Sequence, residues 1–160
     1  METKVKLSDI VDALETQNDQ TSFYLDTSTG VVHFLSPDDL YAGEEDNPLE
    51  EYPEWQRQTI AIARRLAKGD DESLIELPTR WDVNEYGIME AFRDMQPEGI
   101  VCDALHIAIQ GKGAFRRFKD AVQTFGLFDK WHRFRLTRFK SISIAWCQAN
   151  GIAYIDDAQE

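Results

Sequence analysis

The chain is poor in the features that mark several large protein classes. Only 2 cysteines occur in 160 residues; Cys102 and Cys147 sit among apolar neighbours with no Cys-x-x-Cys spacing. Two reduced, packed thiols are therefore expected. Gly 9 and Pro 5 are too few for collagen-like or Pro-rich linker material. No run of about 18 consecutive apolar residues exists, which excludes a membrane-spanning helix. Residues 1–6 lead into a helix signal rather than an apolar signal-peptide core, so a soluble, cytoplasmic protein is expected. Gly-x-Ser-x-Gly, His-Glu-x-x-His and DFG-like signatures are missing, and the carboxylates are scattered through helix starts and loops rather than paired in an apolar setting. The expectation is no catalytic residue, no cofactor and no metal.

Against these absences stands a 42% apolar fraction, enough for the core of one domain over residues 1–160. The net charge of -12 is unevenly spread. Residues 1–110 hold 8 Lys+Arg against 24 Asp+Glu, residues 111–140 hold 9 against 2, and residues 141–160 hold 0 against 3. The overall field repels polyanions, which argues against duplex DNA and anionic membranes, while the basic segment remains able to act locally.

Periodicity predicts the elements. Ser8 is expected to cap a helix carrying Ile10, Val11 and Leu14, and residues 23–26 and 31–35 read as a hairpin around Thr27–Gly30. Ser36-Pro37-Asp38-Asp39 starts a short helix that Gly43 closes, ahead of an exposed acidic loop over residues 43–51. Pro53 opens a longer helix with Trp55, Ile62 and Leu66 on one face and Gly69 at its end, and residues 74–77 suggest a third strand. Asp82 with Glu85 resembles a capping box. Helices follow with Ile88, Phe92 and Met95; from Pro97 with Ile100, Val101, Ala104, Leu105 and Ala108; and with Phe115, Phe118 and Val122. A last helix runs from about Phe128 to Asn150, and Ile152–Ile155 offers one more strand. The fold class is α+β, a small antiparallel sheet packed against a mostly helical second half.

Three constellations bear on chemistry. Gly111-Lys112-Gly113, followed by Arg116, Arg117 and Lys119, joins a glycine pair to a helix start, the physics of an anion site without P-loop spacing. The plainer reading is a helix break whose cations pair with the acidic part of the same chain. Phe115, Phe118, Phe125, Phe128, Trp131, Phe134 and Phe139 alternate with cations that include Lys130, Arg133, Arg138 and Lys140. Single-stranded nucleic-acid binders use that mixture, although helical spacing favours an aromatic core with a basic solvent face. Cys102 and His106 share a helix face, with Cys147 and His132 as distant candidates to complete a metal set, but packed thiols are the simpler expectation.

The segments Val5–Glu15, Tyr24–Asp26 with Thr29-Gly30, Pro53–Gln56, and Gly111–Asp120 with Trp146-Cys147 ahead of Gly151-Ile152 resemble the small bacterial uncharacterised protein family 0158. The resemblance covers nearly the whole chain and implies a bacterial cytoplasmic domain of mixed α and β structure, with no catalytic residue to carry over. The functional expectation is a non-enzymatic binding or regulatory module, monomer or homodimer, whose basic helical face engages an acidic protein, RNA or nucleotide. The alternative is an enzyme for a phosphorylated small molecule held near Gly111–Arg117.

Overall fold

The computed structural model describes residues 3–158. In chain order the elements are β1 (Val5–Lys6), α1 (Leu7–Thr16), β2 (Ser22–Asp26), β3 (Val31–Leu35), α2 (Pro37–Glu44), a 3-10 turn (Leu49–Glu51), α3 (Glu54–Lys68), β4 (Leu74–Glu76), α4 (Arg80–Val83), α5 (Glu85–Asp94), α6 (Ile100–Ala108), α7 (Ala114–Thr124), α8 (Phe128–Ala149) and β5 (Tyr154–Ile155). The α+β class holds: an antiparallel sheet in the order β3-β2-β4 lies beside mostly helical structure, and β1 and β5 form a separate parallel pair. No helix among the described residues is long and apolar enough to cross a membrane.

The hairpin follows its alternation. In register, Tyr24 opposes His33 and Leu25 opposes Val32. Tyr24 packs with buried Leu35 and Leu74 against Ile62 and Leu66 of α3, while Leu25 belongs to the larger core with α1. That core collects Leu7, Ile10 and Leu14 of α1, Met89 and Phe92 of α5, Leu105 of α6, Phe118 and Val122 of α7, and Trp131, Phe139 and Cys147 of α8. Phe92, Phe118 and Trp131 meet edge to face with ring centroids 4.9 to 6.2 Å apart. Such pairs add about 0.5 to 1.5 kcal/mol each beyond the area they bury.

Several local readings are corrected. Ser8 does not cap α1; Lys6 occupies that position without a side-chain bond. Ser8 instead donates its backbone N–H (2.9 Å) and Oγ (2.7 Å) to the Asp157 carboxylate, so an anion distant in sequence serves the helix start. Gly43 does not end α2 but lies buried within it; a Cβ there would come within 2.6 Å of Ala63, so only glycine lets α2 and α3 approach this closely. The capping box is Thr79 with Asp82, not Asp82 with Glu85, because Asn84 turns left-handed (φ 50°) and starts a new helix. The Pro97 helix begins only at Ile100, after Gly99, whose positive φ of 147° favours glycine, and Ile100 is itself exposed. Trp55 is on the same face as Ile62, seven residues earlier, but is 78% exposed, while Ile60 and Ala63 are buried.

One buried charge organises the hairpin turn. Asp26, 3% exposed, accepts from Arg65 (2.7 Å) and from the Ser28 N–H and Oγ. The same guanidinium donates to Asp71 (2.6 Å) and Ser73 (2.7 Å). Burial alone would raise the Asp26 carboxyl, but the bonds from Arg65 and Ser28 outweigh it and hold it below its ordinary value.

Candidate functional site

The residues from 111 onward divide into groups with different work. Gly111 (φ 71°) and Gly113 (φ 79°) carry the chain left-handed from α6 into α7. Arg117 then folds back, donating Nε to Ala108 O (3.1 Å) and its two terminal nitrogens to the carbonyls of Lys112 and Gln110. These are oxygens that the end of α6 and its loop leave without helical partners. A Cβ at Gly113 would lie 3.0 Å from the Arg117 guanidinium, which is why glycine suits that position. The guanidinium expected to hold an anion is thus a C-terminal cap for α6. Lys112 and Arg116 remain exposed, with no carboxylate within 4.0 Å among the described residues.

The expectation that the basic segment pairs with the acidic half meets a limited outcome. Arg135 bonds Glu85 of α5 and lies 3.9 Å from Glu15 of α1, and Lys140 is 3.1 Å from Asp156. Lys112, Arg116, Lys119, Lys130, Arg133 and Arg138 have no carboxylate partner among the described residues. Arg138 lies over the Phe134 ring (5.2 Å), and Arg133 donates to the Asp129 carbonyl in its own helix.

The aromatic series also splits. Phe118, Trp131 and Phe139 are core, whereas Phe115 (47%) and Phe128 (45%) are half exposed. These two flank an open groove of about 330 Å³ between α5, α7 and α8. Phe115, Phe118 and Lys119 form the α7 wall, Phe128, Trp131, His132 and Arg135 the α8 wall, and Glu85 and Met89 the α5 end. His132 stacks parallel on Phe128, 6.0 Å between centroids. Of the residues singled out from sequence as anion-site or basic-face candidates, the groove takes in Lys119 alone. Lys130, Arg133, Arg138 and Lys140 lie on α8 outside this groove. The sequence offers Glu85 only as a capping residue and does not single out Met89, because both come from a helix more than 25 residues upstream and no periodicity reports which helices meet.

A larger open groove of about 590 Å³ lies between α1 and the hairpin, but it mixes Lys4 and Lys6 with Asp9 and Asp12 and so carries no field of one sign. Cys102 and His106 both turn to Arg93, the thiol to its carbonyl (3.8 Å) and the ring to its guanidinium (3.3 Å). Cys147 is fully buried, and burial raises its thiol to about 11. It sits on α8 fifteen residues beyond His132, roughly 22 Å at 1.5 Å per residue, so these two share no site. Among the described residues no cluster of three His, Cys, Asp or Glu could hold a metal.

No curated protein and no solved structure matches the chain. A family model does, over residues 3–159. The chain belongs to the Uncharacterised protein family (UPF0158), and the resemblance seen in its segments extends over nearly its whole length.

Proposed function

We propose that the protein is a non-enzymatic binding module that holds an anionic partner on the surface formed by α7 and the first half of α8, in a bacterial cytoplasm. The observation that carries this reading is the set of cations there and in the loop just ahead of α7, Lys112, Arg116, Lys119, Lys130 and Arg133, which have no carboxylate partner among the described residues although the chain holds 29 acids. Intramolecular pairing accounts for Arg135 and Lys140 and does not reach the others. Two free thiols suit a reducing compartment. The enzyme alternative needs Arg117 directed at a phosphate, whereas its guanidinium donates to three carbonyls, so no observation favours it.

The test is titration of the protein with fluorescein-labelled polyglutamate and with a labelled single-stranded RNA, at about 50 mM and 200 mM salt. Binding to at least one that weakens with salt, and that is lost in Arg116→Glu/Lys119→Glu, is expected. Failure to bind either polyanion at the lower salt overturns the reading.

A further inference from the structure

We infer that the groove between α5, α7 and α8 is a stacking site for one nucleobase of single-stranded RNA, an inference that rests on the anionic-partner reading and narrows it to a chemical class. An acidic peptide needs cations alone. A nucleotide needs cations beside an aromatic face, and the groove supplies both: half-exposed Phe115 on one wall, half-exposed Phe128 backed by His132 on the other, and Lys119 at the rim. Their exposure lacks an internal reason, since Phe118 and Trp131 already close the core beneath. A sugar–phosphate strand passing the rim would place its charges near Lys119, with Arg116 three residues earlier on the same helix, and neither has a carboxylate partner among the described residues.

The α5 end of the groove adds a polar edge. Glu85 accepts from Arg135 Nε through one oxygen, Oε1, and its other oxygen receives no hydrogen bond among the described residues. A free carboxylate oxygen accepts from an exocyclic amino group, as on cytosine, and is repelled by the carbonyl that uracil carries at the same position. Glu85 therefore sets a preference for cytosine over uracil, a comparison between two pyrimidines of similar stacking surface.

The experiment uses the full chain with labelled rC8, rU8 and polyglutamate of matched charge, followed by fluorescence anisotropy. Wild type is expected to bind rC8 more tightly than rU8, and both more tightly than polyglutamate. Phe115→Leu and Phe128→Leu, which keep apolar cover over the core, should each weaken RNA binding about 5- to 100-fold while leaving polyglutamate binding unchanged. Glu85→Gln keeps an oxygen for Arg135 and should narrow or reverse the rC8 to rU8 ratio. Far-UV circular dichroism checks that each variant is folded, and Lys119→Met supplies a groove variant outside the core. RNA binding unaffected by either phenylalanine change, or polyglutamate binding equal to RNA, overturns the stacking site while the anionic-partner reading stands. Absence of binding to all three probes overturns both.

Discussion

Replacing Arg65 by methionine isolates the contribution of Asp26, the deeply buried carboxylate among the described residues. Methionine keeps most of the apolar stem and removes the guanidinium, leaving Asp26, 3% exposed, with Ser28 alone as its partner. Breaking a buried ion pair from one side costs about 3 to 5 kcal/mol. Here the arginine side chain is 32% exposed, so water reaches the vacated space and relieves part of the penalty. About 2 to 3 kcal/mol is expected at pH 7.5, or roughly 4 to 12 °C in Tm for a chain of this size. The pH dependence carries the sharper test. In the wild type the Asp26 carboxyl is held below its unfolded value, so its stabilisation is present above about pH 4 and is lost as pH falls through the lowered folded value. In the variant, burial is opposed by Ser28 only, the folded value rises, and protonation relieves the buried charge. The gap between wild type and variant should therefore narrow between pH 7.5 and pH 4. Urea unfolding followed by tryptophan fluorescence at the two pH values measures it; a gap under about 0.5 kcal/mol at pH 7.5, or one as wide at pH 4, refutes this account of Asp26.

Other substitutions probe other features. Gly43→Ala pushes a methyl into the Ala63 backbone and should cost about 1 to 3 kcal/mol in thermal unfolding, the range for overpacking. Arg117→Ala should lower stability by about 1 to 3 kcal/mol by removing donors from the end of α6, whereas Arg116→Ala should stay within about 0.5 kcal/mol. In native protein a thiol reagent at pH 8 should leave Cys147 unmodified, since its thiol is raised to about 11 and fully buried; rapid modification before unfolding contradicts that packing. Burial lowers His33 below its ordinary value, so its share of stability is present above about pH 6.5 and is lost as pH falls, and His33→Gln should flatten the stability profile between pH 7 and 5.

The elements themselves were written into periodicity and punctuation. The alternation around Leu25 and the turn at Thr27–Gly30 placed the hairpin, and Gly69, Gly126 and Gly151 mark helix ends where the backbone turns left-handed. What stayed hidden depends on partners far away in sequence. Ser8 looked like a cap because caps are local, and nothing local reveals that Asp157 supplies the anion. Arg117 is a candidate anion ligand because a glycine pair ahead of a helix start lets an anion approach, and the carbonyls it serves become visible only once α6 and α7 are placed. The groove combines three helices, so its aromatics could be read from the sequence and its α5 end could not.

The pairing of Val5 with Tyr154 and the seat of α1 against α8 impose an order on synthesis. Made at roughly 5 to 20 residues per second, the chain presents α1 about 7 to 30 s before β5 is complete. Until α8 is made, Leu7, Ile10 and Leu14 lack the helix that covers them in the finished fold, so the apolar face of α1 is closed only by the last long element of the chain.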